Sequence, residues 1–106
     1  MSDALTLTAA VDRLADRFRS MPQSRLRGAV PGHPSRAAAA LALARGLAAT
    51  ALRLEGEPAR ELPDAGDFAV GDQLAVAGHD LAAATADPRV LAEAVAEVVA
   101  LGDLVA

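Results

Sequence analysis

Two histidines and the aspartates that follow them are the side chains of this sequence best suited to bind a metal ion. The candidate ligands are His33, His79 and Asp80, with Asp87 or Asp103 as a further carboxylate. Imidazole and carboxylate groups bind divalent metals, and a bound metal can activate water for attack on a phosphoester.

The order of a His, a His-Asp pair and a later Asp resembles the metal-binding set of HD-type phosphohydrolases. The resemblance implies an all-helical, metal-dependent phosphohydrolase built on His33, His79 and Asp80. Successive residues of a helix point about 100° apart, so His79 and Asp80 are not a ready bidentate pair. Neither a P-loop nor a GxSxG motif accompanies them. The phosphohydrolase therefore stands as an alternative to a non-enzymatic function.

A second candidate site is basic and surrounds the loop that leads into the second long helix. Its members are Arg19, Arg25, Arg27, His33 and Arg36. The first-turn N–H groups and the dipole of a helix favour anions, and guanidinium groups pair well with phosphate. The second alternative is therefore an anion- or nucleotide-binding module.

Charge is divided unevenly between the two halves of the chain. Residues 1–53 hold eight Arg and three Asp, a net charge of +5, whereas residues 54–106 hold two Arg and eleven acidic residues, a net charge of −9. Halves of opposite charge should attract each other, within one chain or across a dimer. The net charge of −4, the two Phe as sole aromatic residues and the missing nucleic-acid-binding motifs argue against nucleic acid as a partner.

Hydrophobic periodicity and capping residues predict four helices, over residues 3–20, 36–55, 68–86 and 88–102. Ser35 is a good N-cap, and Asp87 followed by Pro88 is typical of a helix start. We expect residues 1–106 to form one all-α domain, a dimeric fold resembling a four-helix bundle. The second long helix is apolar nearly all round, which predicts that it is the central one.

The helix predicted over residues 68–86 carries more small and apolar surface than one face of a small bundle needs. Gly71 and Gly78 lie in register with two alanines, although a mid-helix Gly costs about 1 kcal/mol relative to Ala. This stripe predicts the close approach of another helix, either the second long helix or a second copy of the chain. We predict a homodimer interface made by Phe68, Gly71, Asp72, Ala75, Val76, Gly78, His79 and Ala82.

Composition excludes several kinds of site and favours a non-enzymatic function. The chain has no cysteine, which excludes disulfides, thiolate nucleophiles and cysteine-based metal sites. Its N-terminus lacks the pattern of a secretory signal, and its most apolar run, residues 37–54, contains Arg45 and Arg53. We therefore predict a cytoplasmic, non-enzymatic protein, without a membrane span or a cofactor. It would act through protein–protein contacts, with itself and with another protein, in a regulatory or accessory role.

Overall fold

Three helices begin where their capping residues predict. Ser2, Ser35 and Asp87 each accept a hydrogen bond from a first-turn backbone N–H, at 2.9–3.1 Å, and so satisfy a donor that has no partner within the helix. The computed structural model describes residues 2–106. Its helices are α1 (Asp3–Arg19), α2 (Gln23–Arg27), α3 (Arg36–Leu54), α4 (Val70–Ala84) and α5 (Pro88–Leu104), with a 3-10 turn (Asp67–Ala69) leading into α4.

The five helices confirm an all-α, bundle-like fold. Between Ser2 and Ala106 the chain forms no β-strand, only an isolated bridge between Val30 and His33. The core is built mainly from leucine and valine side chains of the four long helices, among them Leu7, Val11, Leu47, Leu74, Leu81 and Leu91.

The central helix is α4, which lies between α1 and α3, while α5 packs mainly on α1. The prediction that α3 is central was wrong. Although α3 contributes seven buried residues, its Ala42, Gly46 and Ala49 are exposed. Alanine is small enough to be tolerated on either side of a helix, so its apolar character did not mark a buried face. By length and composition alone, α3 is also apolar enough to cross a membrane.

Part of the segment predicted as a loop is ordered by a short helix and a tight turn. Leu26 of α2 is completely buried, which fixes this helix to the core. Beyond it, the Val30 carbonyl accepts a hydrogen bond from the His33 N–H at 3.0 Å. Pro31 and Gly32 occupy the turn between them, and Gly32 has a φ of 83°, as the third position of a type II turn requires.

Three helix boundaries differ from the prediction by two residues: α4 begins at Val70 rather than at residue 68, after the 3-10 turn, and ends two residues earlier, and α5 ends two residues later. Thr85 is extended, and its hydroxyl accepts a hydrogen bond from the Asp87 N–H at 3.0 Å, which closes a short connection to α5. Helix α5 continues past Gly102 to Leu104, and Arg17 of α1 donates a hydrogen bond to the Gly102 carbonyl at 3.1 Å.

Candidate functional site

The predicted interface of α4 divides into an exposed part and an inner part. The exposed residues are Phe68, Asp72, Val76 and His79; Ala75 and Ala82 are half-buried, and Gly71 and Gly78 are buried. Asp72 and Val76 are four residues apart on α4, which places them on one side of the helix, and the exposed Phe68 precedes them in the 3-10 turn that leads into α4. We call these three residues the α4 ridge. Phe68 is 67% exposed and Val76 is 59% exposed, so the ridge presents its apolar members to solvent.

The two glycines face α1 of the same chain. A Cβ built on Gly78 would lie 2.7 Å from a methyl group of Val11, and one on Gly71 would lie 2.8 Å from the Ala15 carbonyl oxygen. Ordinary contacts between carbon atoms are about 3.5–4.0 Å, so glycine lets α1 and α4 approach more closely than alanine would. The neighbour is therefore α1, rather than α3 or a second copy, and the two glycines must be removed from the predicted dimer interface.

Ion pairs beside the ridge tie α4 to α1. The guanidinium of Arg19 donates to one oxygen of Asp72 at 2.8 Å and to Asp16 at 2.9 Å. These hydrogen bonds, first that of Asp72 and then that of Asp16, raise the pKa of Arg19 above its usual value. About two turns away on each helix, His79 Nε2 lies 2.9 Å from a carboxylate oxygen of Asp12. The polar members of the predicted interface are thus already bound within the chain.

Arg25 and Arg36, from the predicted anion site, bind the C-terminal end of α5. Each donates to the carbonyl oxygen of Val105 at 3.1 Å, and Arg36 also donates to the Arg25 carbonyl at 3.3 Å. The last turn of α5 contains no basic residue of its own, so these arginines supply the donors and positive charge that a helix C-terminus favours. A phosphate would have to compete with Val105 for both guanidinium groups.

The remaining members of the predicted anion site do not join them. Arg19 is bound to aspartates, as described above, and Arg27 pairs with Asp67 at 3.5 Å. His33 lies half-buried in the turn that precedes α3. The attraction predicted between the two halves of the chain acts here within the molecule, through Arg19–Asp72, Arg27–Asp67 and Arg45–Glu61.

The predicted metal ligands do not form a cluster. His79 contacts Asp12, and Asp80 points elsewhere on α4, lining a different groove. Over residues 2–106 no three His, Asp or Glu side chains lie close enough together to hold a metal ion. The phosphohydrolase alternative therefore lacks the ligand set of His33, His79 and Asp80 on which it depended.

A groove that sequence reasoning missed runs between α3 and α4. The acidic loop, residues 56–66, crosses it and is fastened by two hydrogen bonds of 2.8 Å, from Arg45 Nε to the Leu62 carbonyl and from Gln73 Nε2 to the Pro63 carbonyl. Leu62 packs against the core and leaves recesses of about 200 and 300 Å³ beside it. Ala48, Leu62 and Asp80 line both recesses, which makes them parts of one α3/α4 groove.

One polar atom in this groove has no hydrogen-bond partner. The side-chain oxygen of Gln73 is buried and unpartnered, while the amide nitrogen of the same residue holds the acidic loop. A sequence signal for the groove does exist: Leu62 is the only large apolar residue in a loop whose other residues are charged, small or proline. Such a residue indicates that the loop packs against the helices.

Comparison with models of known protein families, with curated proteins and with solved structures found no match for this chain.

Proposed function

We propose that this chain is a small non-enzymatic protein of the cytoplasm that acts through protein–protein contacts, as a homodimer, in a regulatory or accessory role. The observation that supports this most directly is the α4 ridge. Phe68 is one of two aromatic residues in the chain, and the fold leaves it 67% exposed. Burying a side chain of this kind against a partner would stabilise the complex by about 1.5–3 kcal/mol.

The ridge is suited to contact with its own copy. Phe68 and Val76 lie four residues before and four residues after Asp72. A two-fold axis at Asp72 would align two α4 helices antiparallel and place Phe68 opposite Val76 of the second copy. Arg19 binds the Asp72 carboxylate, which reduces the repulsion between the two aspartates at the axis.

Light scattering at micromolar concentration tests the dimer. We expect a dimer mass for the wild-type chain and a monomer for Val76→Asp, because a buried, unpaired carboxylate would oppose association. Val99→Asp on α5 is a matched control: Val99 is 54% exposed, close to the 59% of Val76, and the control should remain dimeric. A strictly monomeric wild-type chain would rule out the homodimer.

Cross-linking tests the arrangement of the two copies. The chain has no cysteine, so a single Asp72→Cys substitution gives one thiol, which should oxidise to a disulfide dimer when its partner lies across the axis. Disulfides need Cα atoms within roughly 4.4–6.8 Å. In Asp80→Cys the two thiols would be about 24 Å apart along antiparallel helices, and no cross-link should form. Equal cross-linking of both variants would contradict the two-fold at Asp72.

A further inference from the structure

The α3/α4 groove has an apolar floor because its helices meet there through small side chains. Ala48 of α3 and Ala77 of α4 face the first recess, and Val76 and Leu62 complete its walls. Alanines leave the space between the helices unfilled, and the acidic loop fills only part of it with Leu62. Each recess is large enough for one or two aliphatic side chains.

The rim of the groove is acidic. The groove is lined by four carboxylates, those of Glu55, Glu61, Asp72 and Asp80, and by one guanidinium, that of Arg60. Asp72 is bound by Arg19 and Glu61 by Arg45. Within the described chain, residues 2–106, Asp80, Glu55 and Arg60 have no ion-pair partner. The groove therefore combines an apolar floor with an edge whose unpaired groups are two carboxylates and one guanidinium.

The side-chain oxygen of Gln73 lies buried beside the first recess without a hydrogen-bond partner. A guanidinium or ammonium group that entered the groove at this point would be attracted by the Asp80 carboxylate.

We propose that the α3/α4 groove binds a basic amphipathic helix of a partner protein, with aliphatic side chains in the two recesses and Arg or Lys against Asp80 and Glu55. A helix satisfies its own backbone hydrogen bonds, whereas an extended segment would need backbone partners that a wall of two helices does not offer. Interhelical grooves also accept the side-chain ridges of a third helix.

A second copy of the chain is poorly suited to this groove. Among residues 2–106, the exposed large apolar side chains are Leu5, Leu54, Phe68, Val76 and Val99. Leu5, Phe68 and Val76 have acidic residues and no Arg or Lys within four positions along the sequence, so these three would bring negative charge to a negative rim. Val99 lies beside Arg13 and Arg17, and Leu54 follows Arg53. The proposal rests on the proposed function only in treating the chain as an interaction protein, and it does not require the homodimer.

An unbiased selection identifies the preferred occupant. The full chain is presented to a displayed library of random 16-residue peptides, with Asp80→Arg as the counter-target. We expect the enriched peptides to carry Leu, Ile or Phe at intervals of three and four, with several Arg or Lys. Enrichment without a basic excess, or no enrichment above the counter-target, overturns the proposal.

Fluorescence anisotropy with the most enriched peptide then locates its site. We expect Asp80→Arg to weaken binding about tenfold, whereas Glu97→Arg on α5, with the same change in charge, leaves it unchanged. Ala48→Leu should also weaken binding, because it fills the recess without altering the charge, and Ala42→Leu on the exposed side of α3 is its control. Circular dichroism confirms that each variant is folded.

The outcomes separate this proposal from the dimer. Equal weakening by Asp80→Arg and Glu97→Arg would indicate non-specific charge attraction and would overturn the groove. If Asp80→Arg changed the oligomeric mass of the protein but not its affinity for the peptide, the groove would bind a second copy of the chain. That result would also overturn the proposal of a basic partner helix. Peptide binding by a monomeric wild-type chain would support the groove and reject the homodimer.

Discussion

The close approach of α1 and α4 predicts that two glycine-to-alanine substitutions have opposite effects on stability. Gly46 lies on the exposed side of α3, and a Cβ added there would have nothing within 4 Å. Gly78 lies on α4, and a Cβ added there would be 2.7 and 2.8 Å from the two methyl groups of Val11. The two substitutions are chemically identical and both fall inside helices.

The expected magnitudes follow from helix propensity and packing. Alanine is favoured over glycine inside a helix by about 1 kcal/mol, and Gly46→Ala should raise the free energy of unfolding by this amount. Gly78→Ala gains the same propensity but requires Val11 to move by about 1 Å to restore an ordinary contact. Val11 is fully buried and its branched side chain is stiff, so overpacking should cost about 3 kcal/mol. The net loss should be about 2 kcal/mol.

Urea and thermal unfolding monitored by circular dichroism measure both effects. For a domain of this size, 1 kcal/mol shifts the unfolding midpoint by about 4–8 °C, so the two variants should be well separated. Adding Val11→Ala to Gly78→Ala should relieve the contact, giving a double variant more stable than the sum of the single effects by about 1–3 kcal/mol. A Gly78→Ala protein as stable as Gly46→Ala would refute the close packing of α1 on α4.

Three further predictions concern two arginines and the lack of a metal-ligand cluster in residues 2–106. Arg36→Ala should lower the free energy of unfolding, measured in urea, by about 1–2 kcal/mol, because the Val105 carbonyl loses a donor. The control Arg53→Ala removes an exposed arginine and should change this free energy by less than about 0.5 kcal/mol. Equal effects of the two substitutions would contradict the capping role of Arg36. Arg45→Ala should release the acidic loop and accelerate tryptic cleavage after Arg60 several-fold, as followed by mass spectrometry, while an unchanged rate would mean that the loop is held by other contacts. A metal that binds the folded chain would raise its unfolding temperature, so we expect manganese, zinc or EDTA to leave that temperature unchanged. A rise with either metal would support the phosphohydrolase alternative.

The starts of α1, α3 and α5 could be predicted from the sequence because capping is local, whereas α4 has no side-chain cap and begins at Val70 rather than at residue 68. Ser35 and Asp87 each act on an N–H within three residues. The order of the helices in space could not be predicted in the same way, because an alanine-rich helix such as α3 is equally compatible with the centre and the surface. α2 was missed since proline surrounds it, and the full burial of Leu26 depends on distant parts of the chain.

The two glycines of α4 show how much of the candidate site could be predicted from the sequence. Gly71 and Gly78 indicated a close approach, because their cost in a helix needs a reason, but the sequence did not say which helix approaches. Val11 and Ala15 of α1 provide the facing surface. The α3/α4 groove was missed for a related physical reason. It exists because Ala48 and Ala77 are too small to fill the space between the helices, and in the sequence these alanines look like ordinary core residues.

The arginines that bind the end of α5 also bear on how quickly the protein can fold. Their hydrogen bonds join residues that are 69, 80 and 85 positions apart in the chain. Contacts of such high sequence separation raise the contact order, which slows folding relative to helical domains whose contacts are local. If the C-terminal turn of α5 docks after the other helices have assembled, removing these arginines should accelerate unfolding and leave the folding rate nearly unchanged.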